Sequence, residues 1–231
     1  MAAAAVVGGI TVIVAVVLLL GNSGAGPTGS GSPGDSGSPV AAGVTPPPGC
    51  PTSQPPALAS DQTGTVTIQT KSGNIVISVD GSISPIAAGN FVALAQCGYY
   101  DGVTFHRLVP GFVIQGGDRQ YGSLSNFDPS HVGQGGPGYT IQDEPVTAVY
   151  HRGTVAMARS QDPNSQGSQF FIVLDDSAAQ QLVTANNYAI FGQVTSGMNV
   201  VDEIAALPNS GSPDNLATEP LAMDHLTVTN P

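Results

Sequence analysis

Residues 98–118 read GYYDGVTFHRLVPGFVIQGGD and place polar side chains inside two runs that are otherwise apolar. His106 and Arg107 interrupt the first run, and Gln115 interrupts the second. A charged side chain within an apolar strand needs a compensating role, because burying it unpaired is costly. If the two strands are neighbours, Arg107 and Gln115 face one pocket alongside Phe112. The alternative is that Arg107 is an edge cation lying along the surface.

The sequence on either side predicts a hairpin and two helices. Residues 65–70 and 74–80 alternate or nearly alternate apolar and polar side chains around a short turn, which is typical of two paired strands. Ser84 and the proline after it predict the start of a helix, as an N-cap followed by proline at the first helical position, and Gly98 predicts its end. A second helix is expected near 197–207, where apolar residues share one face.

The remaining β-rich runs are short and are separated by Gly and Pro. They cover residues 103–107, 111–116, 139–142, 154–158, 169–174, 189–194 and 223–229. No strand–helix–strand rhythm is present. Many short strands with only two helices predict an antiparallel sheet, most simply closed into a barrel, because closure removes exposed edges.

The charge of the chain excludes some classes of partner. The formal net charge is −11, from 16 acidic and 5 basic residues. Nucleic-acid binding depends on clustered Lys and Arg that release counterions, so this charge argues against it and against an electrostatic membrane patch. The four histidines and the acids show no metal-ligand spacing, so no metal or cofactor is expected.

The first 21 residues form a segment of their own. Residues 2–20 are apolar apart from Thr11 and carry no charge. About 20 such residues span a bilayer as a helix, which predicts a transmembrane anchor. The competing interpretation is a cleaved signal peptide, with Ser23 and Ala25 as a weak cleavage site.

A linker is predicted over residues 22–60, followed by a globular domain over 61–231. Gly, Pro and Ser fill 23 of the 35 positions in 22–56, a composition that favours a flexible, partly extended tether. Within it, GDSGSP at 34–39 resembles a serine-protease nucleophile loop, but no histidine precedes it. Cys50 and Cys97 leave two alternatives open, a bridge outside the cytoplasm or two unpaired thiols.

The stretch 154–172 predicts a strand, a polar loop and a second strand that begins near Gln169. It contains the pair Phe170-Phe171. From the pattern alone, such a pair is more typical of a core than of a binding site.

Several motifs together closely resemble the signature of cyclophilin-type peptidyl-prolyl isomerases. They are Phe105-His106-Arg107, Pro110-Gly111-Phe112, Gln115-Gly116-Gly117-Asp118, Gly167-Ser168-Gln169-Phe170-Phe171 and Phe191-Gly192-Gln193-Val194. The similarity covers about residues 64–229. It implies a closed eight-stranded antiparallel barrel capped by two α-helices, with the substrate pocket on the outer surface of the barrel.

The resemblance also implies a role for each matching residue. Arg107 would be the catalytic arginine, and Gln115 would hold the substrate carbonyl. The backbone of Arg159 would bind the residue before proline, and His106 would support the site. The remaining groove and pocket residues would be Phe112, Val113, Ala158, Gln169, Phe171, Leu182 and Tyr188.

Four positions depart from the most familiar pattern of the family. Val113 stands where a Met is usual, Arg159 where an Asn is common, and Tyr188 where many members have His. Gln181 or Leu182 stands where eukaryotic members have Trp, and the chain contains no Trp.

The resemblance predicts an isomerase that accelerates rotation about X-Pro bonds without a cofactor. Its expected partners are proline-containing unfolded or exported polypeptides, with the domain monomeric, extracytoplasmic and tethered to the cell membrane, or secreted after signal cleavage. A different class of function is also open. The domain could act as a membrane-tethered holdase that binds proline-containing segments, with isomerisation incidental.

Overall fold

The computed structural model describes residues 46–185 and 187–230. Its first two strands, β1 (Thr63–Thr70) and β2 (Gly73–Asp80), form the predicted hairpin. Alternate residues are buried along both strands, since one face lies on the core and the other faces outward. Gly73 adopts a φ of 129°, a backbone conformation that favours glycine and allows the tight turn between them.

Helix α1 (Pro85–Gln96) confirms the predicted helix, with proline in its first turn. The predicted N-cap is wrong in one respect, since the side chain of Ser84 makes no capping hydrogen bond. The carboxylate of Glu144 instead accepts hydrogen bonds from the N–H groups of Ile86 and Ala87, each at 2.8 Å. These N–H groups have no partner within the helix, so a residue 58 positions away completes the start of α1.

The later elements agree with most of the predicted runs. They are β3 (Thr104–Val109), β4 (Val113–Gly116), α2 (Arg119–Gly122), a 3₁₀ turn (Leu124–Asn126), β5 (Thr154–Met157), β6 (Phe170–Val173), α3 (Asp176–Ala185), β7 (Ile190–Ser196), α4 (Met198–Ala205), β8 (Leu216–Ala222) and β9 (His225–Thr229). Residues 139–142 form no strand and contribute only an isolated bridge at Ile141. The prediction omitted β8, which contains Pro220, and the short helices α2 and α3.

One antiparallel sheet holds nine strands in the order β8-β3-β4-β6-β5-β7-β2-β1-β9. Its two end strands are separated in the chain only by Met223 and Asp224. The backbone of Met223 bonds to that of Val103 beside β3, and the N–H of Asp224 donates to the carbonyl of Gln69 in β1. The sheet is therefore curled, and residues 216–229 connect its ends.

The predicted mainly β antiparallel fold with helices is confirmed, whereas its closure into an eight-stranded barrel is not. The sheet has nine strands, and in the described part of the chain no ladder pairs β8 with β9. Two helices do pack against the interior, as predicted: α1 through Phe91 and Leu94, and α4 through Val201 and Ile204.

Two separate apolar clusters lie on opposite faces of the sheet. The interior cluster includes Phe91, Phe105, Leu108, Ile114, Met157, Phe170, Phe191 and Ile204. The second cluster takes the alternate residues of the same strands, so Phe170 belongs to the interior and Phe171 to the outer face. Alternation along a strand produces this division. The outer cluster positions the functional site.

The end of the predicted linker packs against the domain. Cys50 forms a disulfide with Cys97 at the end of α1, with their Cα atoms 5.1 Å apart. Leu58 is buried in the interior cluster, and its N–H donates to the carbonyl of Pro85. A disulfide and apolar contacts therefore attach residues 50 and 58 of the predicted linker segment to the domain.

The predicted anchor at 1–21 and the linker over 22–45 lie outside the described residues. Within residues 46–185 and 187–230, none of the helices combines the length and the apolar character needed to cross a bilayer.

Candidate active site

Strand β3 carries a β-bulge at His106 that determines where Arg107 points. Phe105 lies opposite Gly116 on β4, whereas Arg107 lies opposite Gln115, so His106 is an extra residue in the ladder. In a regular ladder Arg107 would face Ile114 and share the interior face with Phe105. The bulge moves Arg107 to the outer face, beside Gln115. The predicted juxtaposition of Arg107 and Gln115 is confirmed.

Arg107 is half-buried and keeps its positive charge. Its Nε donates to the backbone carbonyl of Asp214 at 3.3 Å. Burial lowers the pKa of Arg107, and Tyr188 and Asp214 act in the opposite direction. A guanidinium remains protonated in proteins, so Arg107 is a permanent donor. No carboxylate of residues 46–185 and 187–230 forms an ion pair with it.

An apolar cluster lies on the outer face of the sheet, and we call it the pocket cluster. Its buried members are Val113, Tyr150, Ala156, Phe171, Val173, Ala178, Ala179, Leu182 and Ile190, with Phe112, Ala158 and Tyr188 partly buried against them. The rings of Phe171 and Tyr188 meet edge to face, with centroids 5.3 Å apart. Six predicted pocket residues therefore come together here: Phe112, Val113, Ala158, Phe171, Leu182 and Tyr188.

Two glutamines connect this cluster to a glycine-rich loop. Gln115 and Phe171 are cross-strand partners on β4 and β6, so they lie side by side. The Nε2 of Gln115 donates to Oε1 of Gln169 at 2.9 Å, while Nε2 of Gln169 donates to the carbonyls of Gly133 and Gly135. An amide nitrogen carries two hydrogens, so Gln115 retains a second donor for a peptide carbonyl.

Asp118 anchors the same loop and was missed as a site residue by the sequence analysis. Its side chain is fully buried and accepts hydrogen bonds from the N–H groups of Gly133 and Gly135 at 2.7 and 3.0 Å. It also accepts from the N–H of Tyr121. The loop carbonyls that hold Gln169 are therefore fixed by a carboxylate. The only sequence signal was the acid at the end of Gln115-Gly116-Gly117-Asp118.

His106 does not reach the surface of the groove. It is 1% exposed, and among the described residues neither ring nitrogen has a hydrogen-bond partner. Burial lowers the pKa of His106 to about 4, with Asp118 opposing and Arg107 reinforcing this shift. The imidazole is neutral at pH 7, and its position fits support of the site, whereas direct contact with substrate does not.

The side chain of Arg159 bonds to protein groups beside the pocket cluster. It forms an ion pair with Asp143 at 3.0 Å and is only 8% exposed. Arg159 is thus near the site, but any contact with substrate must come from its backbone. The sequence analysis assigned no site role to Asp143 or Tyr150.

These observations describe a curled antiparallel sheet whose outer face carries the pocket cluster and the Arg107–Gln115 pair, with no ion-pair partner for Arg107 among the described residues. Residues 65–228 match the family described as cyclophilin type peptidyl-prolyl cis-trans isomerase/CLD. A probable peptidyl-prolyl cis-trans isomerase of Brucella abortus (strain 2308) is 39% identical over 150 residues, or 64% of this chain and 74% of the relative. Peptidyl-prolyl cis-trans isomerase A of Dickeya dadantii is 32% identical over 177 residues, or 75% and 88%.

Solved structures agree with these relatives. A cyclophilin type peptidyl-prolyl cis-trans isomerase of Cryptosporidium parvum superposes with a TM-score of 0.59 at 29% identity, covering 73% of this chain and 99% of that one. A second structure of that isomerase was determined in the presence of the dipeptide Ala-Pro and superposes with a TM-score of 0.58. The chain belongs to the cyclophilin-type peptidyl-prolyl cis-trans isomerase family. Its activity is the cis–trans isomerisation of X-Pro peptide bonds.

Proposed function

We propose that the protein isomerises X-Pro bonds in exported, extracytoplasmic polypeptides, and that Arg107 stabilises the twisted transition state. One observation carries the role of Arg107. The bulge at His106 places the guanidinium opposite Gln115 on the outer face, where the pocket cluster also lies.

The chemistry follows from the barrier to rotation. An X-Pro bond prefers trans by only about 0.5–1 kcal/mol, yet rotation must break amide resonance, with a barrier of about 18–20 kcal/mol. In the twisted state the proline nitrogen becomes pyramidal and regains a lone pair. The guanidinium of Arg107 donates a hydrogen bond to that lone pair. A bond made only in the twisted state lowers the barrier, whereas one made equally to cis and trans does not.

The pocket cluster binds the proline ring, and Gln115 holds a neighbouring carbonyl. Phe112, Ala158 and Tyr188 are only partly buried, so they offer an apolar surface that excludes water from the rotating bond. The free N–H of Gln115 fixes the peptide on one side of that bond. The Ala-Pro dipeptide used with the related Cryptosporidium parvum structure supports a proline dipeptide as the minimal ligand of this pocket as well.

The extracytoplasmic location rests on two independent features. Disulfides form and persist in oxidising compartments, and Cys50 pairs with Cys97. Residues 2–20 have the length and composition of a membrane-spanning or signal segment. Together they favour a domain held outside the cytoplasmic membrane, where newly exported chains are unfolded.

Two substitutions at position 107 test the role of the guanidinium. We expect Arg107→Ala to reduce kcat by roughly 10²–10³-fold, the usual cost of removing one donor to developing charge. Arg107→Lys should recover little, because an ammonium lacks the planar fork. The measurement is exchange NMR on an Ala-Pro peptide, which gives kcat and KM separately. Full activity in Arg107→Ala would overturn the mechanism.

Location is tested on the full chain in its native membrane. We expect the protein to sediment with membranes, and external protease to remove the domain from intact cells stripped of their outer layers. Recovery of the full chain in the cytoplasmic fraction would overturn the proposed location and leave the role of Arg107 intact.

A further inference from the structure

The guanidinium of Arg159 contacts three separate segments beside the groove. It forms an ion pair with Asp143 at 3.0 Å and donates to the backbone carbonyls of Asp162 at 2.9 Å and Asn187 at 3.3 Å. Its Nε donates to the carbonyl of Ser160 at 3.1 Å. With only 8% of its side chain exposed, Arg159 is committed to these partners and is not offered to a substrate.

One of these segments carries a wall of the proline pocket. Asn187 is followed directly by Tyr188, whose ring meets Phe171 edge to face. The backbone of Tyr188 is also held by the hydroxyl of Tyr150, which donates to its carbonyl at 2.9 Å and accepts from its N–H at 3.3 Å. Within the described part of the chain no strand pairing fixes residues 187 and 188, since β7 begins at Ile190. Side-chain contacts from Arg159 and Tyr150 therefore set the position of the Tyr188 wall.

A second segment is the loop that follows β5, which we call the Ala158–Asp162 wall. Ser160 and Asp162 lie in the loop after Ala158, a member of the pocket cluster. The same guanidinium thus bonds to the carbonyls of both walls. A planar fork of donors can hold several acceptors at fixed angles, which a point charge cannot.

Asp143 is fixed independently of Arg159. Its N–H donates to Oδ1 of Asn164, and its carboxylate accepts from the N–H of Asn164 and from Nε2 of Gln166, at 2.8, 2.9 and 3.0 Å. An isolated surface ion pair contributes little, but here the acceptor is pre-organised and the guanidinium is buried. The carboxylate therefore sets the direction of the Arg159 side chain.

We propose that Arg159 is a positioning residue, which holds the Ala158–Asp162 wall and the Tyr188 wall at the spacing that fits a proline ring. Its backbone can contact the peptide, but its side chain acts through the walls. The inference rests on the proposed function, because the spacing matters only if proline binds between these walls. Loss of the guanidinium should weaken substrate binding more than it slows the rotation itself.

The test compares Arg159→Gln and Arg159→Lys with wild type in exchange NMR on an Ala-Pro peptide. We expect KM to rise at least fivefold in Arg159→Gln, with kcat within about threefold of wild type. Arg159→Lys should raise KM similarly, since it keeps the charge and loses the fork. If Arg159→Gln fails to fold, Arg159→Lys is used instead, because it keeps the charge and a long side chain. The same rise in KM with little change in kcat then supports the positioning role.

Arg152→Gln is the matched control. Arg152 also joins an aspartate, Asp202, by two hydrogen bonds and donates to a backbone carbonyl, that of Leu174, but none of these groups belongs to the pocket cluster. The Arg152→Gln substitution should lower thermal stability without changing KM. An unchanged KM in folded Arg159 variants, or an equal change in Arg152→Gln, would overturn the proposal.

The Arg107→Ala variant in the same assay separates the two hypotheses. If Arg107→Ala loses activity while the Arg159 variants keep the wild-type KM, only the positioning role fails. If Arg107→Ala is fully active, the catalytic mechanism fails, and the KM values of the Arg159 variants still decide the positioning role.

Discussion

Arg107 and Gln115 lie directly opposite each other on β3 and β4, because the chain places one extra residue, His106, between Phe105 and Arg107. The side chains of a strand alternate between faces, so an odd insertion exchanges the face of every residue beyond it. A local irregularity of the backbone thereby converts a residue at an interior position into an outward-facing donor.

Deletion of His106 tests this relationship. Without the extra residue, Arg107 follows Phe105 directly, and a regular ladder still places it opposite Gln115 on the outer face. We expect the deletion variant to unfold at a lower temperature, followed by circular dichroism, because the buried imidazole is lost, and to keep kcat within about threefold of wild type. His106→Ala keeps the chain length and the bulge, so it should also fold and remain active. A folded deletion variant without isomerase activity would contradict this account.

The neighbours Phe170 and Phe171 should respond differently to the same substitution. Phe170→Leu leaves a void in the interior cluster and is expected to lower the free energy of unfolding with KM unchanged. Phe171→Leu removes part of the pocket that holds proline and should raise KM by roughly tenfold, the scale expected for lost apolar contact in a binding site. Urea unfolding and exchange NMR provide the two readouts. The same change in KM for both variants would refute the division into two clusters.

Much of this arrangement follows from local sequence patterns, and the remainder depends on distant partners. Period-two alternation predicted β1 and β2, and helical spacing predicted α1. Contacts between residues far apart in sequence were not predicted, because a periodic pattern of apolar and polar residues gives no information about them. Glu144 completes the start of α1 from 58 residues away, and Arg159 bonds to a carbonyl 28 residues further along the chain.

In the site too, residues within local motifs were predicted, whereas features that depend on distant contacts were not. Motif resemblance indicated Arg107, Gln115 and Phe171, whose side chains the structure brings together on one face. The bulge at His106 was not predicted, because a one-residue insertion has no signature in an apolar run. The role of Asp118 was not predicted because its carboxylate accepts from the N–H groups of Gly133 and Gly135. The sequence does not show that these residues fold back onto Asp118.

The disulfide should stabilise the domain through the loop that it closes. The sequence separation of Cys50 and Cys97 is 47 residues, and a loop of that size restricts the unfolded chain by about 4 kcal/mol in the entropic treatment. The double variant Cys50→Ser/Cys97→Ser should therefore unfold at a lower urea concentration, while its kcat and KM stay at wild-type values. In the presence of a reductant, wild type should have the same urea midpoint as the double variant. The reductant should not change the urea midpoint of the double variant. Equal urea midpoints with and without the disulfide would argue against this role.

His106 should make the stability of the domain depend on pH. Its folded pKa is about 4, whereas an unfolded histidine titrates near 6.5, so the unfolded state binds the proton more readily. The contribution of neutral His106 is complete above about pH 7. It declines as the pH falls from about 6.5 to about 4, by about 3 kcal/mol in all.

The measurement is the free energy of urea unfolding between pH 4 and pH 8. Carboxylates also titrate in this range, so the signal is the difference between wild type and His106→Gln. His106→Gln should flatten the profile. Parallel profiles for wild type and His106→Gln would mean that the buried imidazole does not set the acid sensitivity.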